Sequence, residues 1–470
     1  YLEMSVVMNT VGHKYNKRTV IILFSVTFTT CLTFFAFVGY VNRGWISGAD
    51  AQGYYMMGRS LYFDHDFDFT NERLLDPRPE NIGTDSHLTK TGKVSCQFPV
   101  GYALLVQPVF LLSDIITRCS NYLLKTTLPG DGYRGVFGLL VPFSTLLYGF
   151  IGIYLAYQII IIFFDEVLAS VSINVIVLST SLLWYISGHV TMVHVHSFAA
   201  LTALVYSIMP FFQKDISGIG VLRYVCVGSL LALATMIRSQ NVIFAIIPII
   251  AMAQHFFRRD NKRKEEPLSK LIGKISAGVF STFICLIPQM LYMNAVYGSY
   301  FTNTYNDIDG HSFKFLKPDL AKTLLSAESG LFIWHPVSLL SCIGICLLFY
   351  RVKKQRLFIL LLSVCFILTW YVIAIWDYSM ANSFGNRAFD GSTLFFALGL
   401  AEILNRLREK KKIVISVCIT LTLWNMQLLM QQRYFRWISY GWGRDMSYLE
   451  LFKNYNKLPG EWERIKKKYL

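Results

Sequence analysis

A chain of 470 residues, 54% of them hydrophobic and only 16% charged, is not a soluble enzyme of ordinary make-up, because soluble domains carry about 25% charge. Its formal charge of +15 does not point to nucleic acid, since the cations cluster in short segments between apolar runs, as orientation in a membrane requires. Most of the nine cysteines (Cys31, Cys226, Cys285, Cys342, Cys346, Cys365, Cys418) fall inside apolar runs, where a small apolar residue is welcome. Cys96 and Cys119 remain, in the first long loop; two cysteines make no framework, so pairing between them stays open.

Apolar runs of roughly 20 residues, the length that crosses about 30 Å of hydrocarbon, recur from residue 19 to residue 432 with no long soluble insert. The chain therefore reads as an all-α polytopic membrane protein. The first span, 19–41, follows Lys14, Lys17 and Arg18, which sets its start in the cytoplasm, and it is too long for a cleaved signal, so it reads as a retained anchor. Basic clusters at 258–264, 351–356 and 406–412 each separate two apolar runs, so all three are expected on the cytoplasmic side. An even number of crossings must then lie between residues 18 and 258. Seven runs compete for them: 19–41, 98–116, 135–164, 168–188, 197–212, 220–237 and 242–257. The weakest is 98–116, interrupted by Pro99, Gly101, Gln107, Pro108 and Asp114, and it is assigned to a helix lying in the outer interface. The first outer loop then runs from about 42 to 134 and holds interfacial helices. Runs 271–293, 330–350, 357–376, 393–405 and 413–432 bring the expected total to about eleven transmembrane helices. One transmembrane catalytic domain over 1–432 and an extracytoplasmic tail over 433–470 follow. The absence of any internal repeat counts against a transporter built from duplicated halves. No Asn-x-Ser/Thr acceptor occurs, which leans toward a bacterial envelope.

On this topology the unusual polar residues converge on the outer face. The stretch Gly48-Ala49-Asp50-Ala51-Gln52-Gly53-Tyr54-Tyr55 begins shortly after the first span, so Asp50 stands just outside the membrane. Arg59, Lys90 and Lys93 follow in the same loop; His189, His194 and His196 come from the second outer loop; Arg238, Asp307, His311 and Arg387 complete the set. Polar groups at the edge of a bundle are expensive unless paired or used. A carboxylate with histidines and several cations suits one task well: the carboxylate takes a proton from a hydroxyl while Arg or Lys stabilises a departing phosphate.

The order of these motifs resembles the GT-C superfamily of integral-membrane glycosyltransferases, which includes protein O-mannosyltransferases and the lipid A aminoarabinose transferase. The resemblance covers most of residues 19–405 and rests on the Asp50 motif, on Lys93 with Pro99-Val100-Gly101 opening an apolar helix, and on the turns Met192-Val193-His194-Val195-His196-Ser197-Phe198 and Arg238-Ser239-Gln240-Asn241. Gly330-Leu331-Phe332-Ile333-Trp334-His335-Pro336 and Ser383-Phe384-Gly385-Asn386-Arg387 add to it. It implies a helical bundle with interfacial helices in the first outer loop, working without a Rossmann nucleotide site. It further implies inverting transfer of a hexose or pentose from a polyprenyl-phosphate carrier to a cell-envelope glycan or lipid, such as lipopolysaccharide or O antigen. The resemblance sets this on the extracytoplasmic side of a bacterial inner membrane. Asp50 would be the general base; Arg59, Lys93, His194, Arg238, Arg387 and Tyr54 would contact substrate or phosphate. Two departures matter. Ala51 follows Asp50 where many relatives carry a second acid, and His194 and His196 stand where many carry an acid in the second outer loop. A divalent cation held by His194, His196 and Asp50 therefore stays open beside direct contact of His194 with phosphate, and no other cofactor is implied.

Plainer readings stand next to these. Asp50 could cap the helix after it, His194 could pack as a core polar group, Arg238 could snorkel, and Arg387 could pair with Asp390. Trp334, Trp376 and Tyr305 suit sugar stacking or interface anchoring. Rival functions are a lipid-sugar flippase, which calls for ionisable groups at mid-membrane depth, and an O-antigen polymerase, ligase or acyltransferase.

Overall fold

Helix α1, Lys17–Asn42, opens the computed structural model, which describes residues 17–42, 44–46, 48–75, 88–212, 218–257, 266–304, 313–376, 383–434, 446–452 and isolated positions of the C-terminal tail. Asp307, His311 and Tyr305, with the basic cluster 258–264, lie outside the described residues. Two short helices follow, α2 (Ala49–Phe63) and α3 (Thr70–Leu75), then α4 (Gly101–Leu123) and α5 (Gly135–Ile160). Next come α6 (Glu166–Leu178), α7 (Leu182–Ser187), α8 (His194–Ile208), α9 (Val221–Ile237), α10 (Ile246–Phe257) and α11 (Leu268–Tyr297). The short α12 (Leu320–Leu325) and α13 (Leu331–Trp334) lead into α14 (Pro336–Arg351), α15 (Arg356–Ile375), α16 (Thr393–Arg406) and α17 (Lys411–Leu429). Among the described residues the only β pairing is two isolated bridges, Leu88 with Val94 and Phe313 with Trp376.

The chain is an all-α polytopic membrane protein. Among the described residues seven helices are long and apolar enough to cross a bilayer, namely α1, α4, α5, α8 with its 3-10 extension to Phe212, α11, α15 and α17 with its extension to Arg433; four shorter apolar helices accompany them. Backbone hydrogen bonds closed within each helix are what make such spans tolerable in hydrocarbon. The helices approach closely where small residues meet. A Cβ on Gly344 of α14 would fall 1.9 Å from the Gly399 carbonyl of α16, so this crossing has no room for a side chain.

Two runs take a sharper form than in their sequence reading. Residues 98–116, expected as a helix in the outer interface, lie largely within α4, one helix of 23 residues continuous through Pro108. Proline removes a backbone donor and pushes away the carbonyls of the preceding turn. Side chains supply replacement donors there: Tyr148 donates to the Leu105 carbonyl at 2.8 Å and Gln107 to the Ala103 carbonyl at 2.8 Å. Asp114 is also satisfied, by Arg118 at 2.8 Å and the Tyr62 hydroxyl at 3.1 Å. The stripe Tyr102, Val106, Phe110, Ser113, Thr117 is buried, and α4 packs along α2, α5 and α9. Run 168–188 is not one span. It breaks at Ser179-Thr180-Ser181, where Thr180 turns its hydroxyl back to the Ile176 carbonyl and Asn425 of α17 donates to the Leu178 and Thr180 carbonyls, both at 2.9 Å. The break aims Ser181 inward. Cys96 and Cys119 are both free thiols, Cys96 buried and Cys119 exposed.

Candidate active site

Gly48 precedes α2 with φ +85°, and a Cβ there would lie 3.1 Å from the His189 Nε2, so the start of α2 is tucked against the turn between α7 and α8. Asp50 stands in the first turn of α2 and caps nothing, since the N-cap is Gly48. The helix dipole favours a carboxylate in that position. Its Oδ2 accepts from Arg387 Nη2 at 2.7 Å across 337 residues of chain. Asp50 is 32% exposed and Arg387 17%, so the pair sits at an accessible edge.

Arg387 opens the 3-10 turn Arg387–Ser392. The loop in front of it is held from four sides. Ser383 donates to the Gly385 carbonyl at 2.6 Å, Gln432 to the Ser383 carbonyl at 2.7 Å, the Phe384 amide to the Tyr185 hydroxyl at 3.4 Å, and Asn386 to the Thr323 carbonyl at 3.3 Å. Gly385 has φ +60° and leaves space that a Cβ would take from His335.

Behind the pair lies a second layer. His194 Nδ1 is 3.5 Å from both Asp390 Oδ2 and Arg238 Nη1, and its ring packs on Tyr185 at 4.7 Å. A guanidinium has donors only, so the nitrogen facing Arg238 presents a lone pair. Arg238 also donates to the Ala388 carbonyl at 3.4 Å and to Gln240 at 3.3 Å, and Gln240 reaches the same carbonyl at 3.3 Å. Asp390 accepts from Ser181 at 2.6 Å. Burial pushes the Asp390 carboxyl up to about 7, while Ser181, Arg238 and Arg387 pull it down. Arg433 lies over the Trp184 ring at 5.1 Å, adding a cation at the same end of α7.

The remaining expected residues go elsewhere. Arg59 is nine positions beyond Asp50, about 13 Å along the helix, and it is buried. Its Nη1 donates to Asp64 at 3.0 Å and to Glu72, its Nε to the Asp131 carbonyl at 2.7 Å, and it stacks on Phe63 and Tyr133. Glu72 takes a further short bond from the Tyr133 hydroxyl; burial raises its carboxyl, and Tyr133 and Arg59 pull it back. Arg59 thus staples the first loop, with both carboxylates committed to it. Thr70 holds the Asp68 carboxyl low, with a small further pull from Lys93, and Lys90 is exposed. Tyr54 shares the Asp50 face of α2 and lies buried against Phe98 at 4.1 Å and Tyr102 at 5.8 Å.

The His-x-His pair does not converge. Both residues lie on α8, where i and i+2 face apart. His194 turns to Asp390, while His196 turns away to Tyr102 at 4.9 Å and Tyr148 at 5.0 Å. Co-ligation of one cation by His194, His196 and Asp50 is therefore corrected on helix geometry. Among the described residues no group of three or more His, Cys, Asp or Glu is gathered for a metal. Missed in the sequence were Ser181, Tyr185, Gln240 and Arg433; of these, Gln240 alone carried a signal, being part of the Arg238 turn.

The helical bundle, with short helices in its first loop and a carboxylate facing a guanidinium from a later loop, shares its fold with solved structures. The chain matches crystal structures of ArnT from Cupriavidus metallidurans in the apo state (TM-score 0.51, 12% identity, 88% of this chain and 64% of that one) and bound to undecaprenyl phosphate (0.51, 12%, 89% and 66%). It also matches the archaeal oligosaccharyltransferase AglB from Archaeoglobus fulgidus, in complex with an inhibitory peptide and a dolichol-phosphate (0.48, 11%, 88% and 55%). The chain spans about two thirds of the length of ArnT. No protein-family model and no curated protein matches the sequence.

Proposed function

We propose that this protein is an inverting glycosyltransferase moving a hexosyl or pentosyl unit from a polyprenyl-phosphate carrier to a glycan or lipid acceptor of the cell envelope. The active site faces the extracytoplasmic side of a bacterial inner membrane, within a catalytic domain over 1–432, and the tail from 433 lies on that side too. Lipopolysaccharide or O antigen is the acceptor class that an envelope reading favours. The observation carrying the proposal is the accessible Asp50–Arg387 pair at 2.7 Å, backed by Arg238 and His194.

In the reaction the acceptor hydroxyl attacks the anomeric carbon from the face opposite the carrier. Its proton passes to Asp50, and the bond between the anomeric carbon and the carrier oxygen breaks. The electron pair stays on the phosphate, which Arg387 and Arg238 receive. Tyr54, one turn beyond Asp50, forms an aromatic floor on the same helix face. Asp50→Asn keeps size and removes the proton acceptor, so transfer of a radiolabelled sugar from polyprenyl phosphate should fall at least about a thousandfold with unfolding unchanged. Near-normal turnover in that variant refutes the base assignment.

A further inference from the structure

Resting on the donor reading above, we propose that Arg387 is an exchangeable partner: it neutralises Asp50 in the resting protein, and the phosphate of a lipid-phosphate donor takes it over, releasing the carboxylate only when the donor is seated. The two arginine clamps of the outer face make the contrast. Arg59 is held by two carboxylates and a carbonyl, and its side chain is 7% exposed. Such a clamp is built to stay closed, because separating buried charges leaves them uncompensated. Arg387 bonds Asp50 at 2.7 Å, and that carboxylate is 32% exposed, against 0% for the Glu72 side chain that holds Arg59. A partly solvated ion pair is weak, whereas a phosphate offers a guanidinium two charge-assisted bonds in fork geometry.

The surroundings favour a turn of the side chain over a movement of the loop. The backbone from Ser383 to Asn386 is tied to Tyr185, Gln432 and Thr323, so the base of Arg387 is fixed. Arg238 stays in place through Ala388 and Gln240, marking where the anion settles. While Asp50 Oδ2 accepts from Arg387, its charge is shared with the guanidinium, and loss of that partner to a phosphate leaves the whole carboxylate to an acceptor hydroxyl. Exchange thus orders the events: the donor arrives first, and the base is available second.

Binding, not turnover, tests this. Equilibrium affinity for undecaprenyl phosphate is measured on the full chain in detergent for the unaltered protein, Asp50→Asn, Arg387→Gln and the double variant. Undecaprenol, which lacks the phosphate, serves as the control, and unfolding midpoints check each protein. Asp50→Asn is expected to bind undecaprenyl phosphate about tenfold tighter, and to gain less than about twofold when Arg387 is already Gln, a non-additivity diagnostic of a shared partner. Undecaprenol affinity should not move. If Arg387→Gln does not fold, Arg387→Met replaces it, with the same loss of coupling expected because the charge is gone. Equal gains in both backgrounds, or no gain from Asp50→Asn, overturn the exchange while leaving the donor reading intact. Failure of the unaltered protein to prefer undecaprenyl phosphate over undecaprenol overturns the donor reading, and the exchange with it.

Discussion

Replacing Gly385 by Ala perturbs the site without touching a charged group. The added methyl would lie 2.2 Å from His335 Nε2 and 3.0 Å from Cε1, at a backbone φ of +60°. His335 has little room to yield, because it is 1% exposed and packed beside Trp334 and Phe384. A non-glycine residue in the left-handed region costs about 1–2 kcal/mol, and forcing a methyl into a filled core costs about 1–3 kcal/mol more. A loss of about 2–5 kcal/mol is therefore expected. Relief requires a shift of about 1 Å in the loop that ends in Arg387, enough to cost about a hundredfold in transfer. Denaturant titration in detergent measures the first quantity and the labelled-sugar assay the second. His335→Ala opens the space, so the double variant should recover the packing part of the loss and retain the left-handed part. Stability within about 0.5 kcal/mol of the unaltered protein, or no recovery in the double variant, would refute the reasoning.

Three other outcomes are expected. Asp390 has its carboxyl raised from 3.8 to about 7 in the folded protein, so its contribution to stability is fully present below about pH 4 and is lost as pH rises through about 7. Asp390→Asn, neutral throughout, should become progressively more stable relative to the unaltered protein between about pH 4 and 7, by up to about 4 kcal/mol; a pH-independent difference rejects this. Arg59→Ala leaves Glu72 and Asp64 without their guanidinium and should cost about 3–5 kcal/mol, with undecaprenyl phosphate affinity of the folded protein unchanged; a loss of that affinity would return Arg59 to the substrate site. His196→Phe fills the space between Tyr102 and Tyr148 with a ring of similar size and should cost less than about 1.5 kcal/mol, with transfer retained. Metal-dependent activity that vanishes in His196→Phe would contradict the divergence seen along α8.

The membrane character and helical class were legible because apolar runs of spanning length can be read without knowing what they touch. Asp50 and Arg387 were legible for a related reason: a charged residue at the edge of a span stands out against its neighbours. What sequence could not supply was pairing across distance. Arg387 was read as a phosphate contact or as a partner for nearby Asp390; its guanidinium bonds Asp50, and the carboxyl of Asp390 faces Ser181 and His194. Arg59 looked like its neighbour Asp50 in sequence, but nine residues of helix carried it into another cluster. The breakers in 98–116 weakened that run in sequence, where it could not be seen that Tyr148, a residue of the next long helix, supplies a donor beside Pro108. His-x-His suggested convergence only until the segment was known to be helical.

The interruption between α6 and α7 is mended by one amide, Asn425, contributed by α17. During synthesis the first eight helices leave the ribosome more than two hundred residues before that amide does. Until it arrives, two carbonyls inside the bundle want a donor, and the break that aims Ser181 at Asp390 is held by Thr180 alone. This corner is therefore completed from a distant later helix. A nascent chain stopped before α17 would hold the break between α6 and α7 without the amide that closes it.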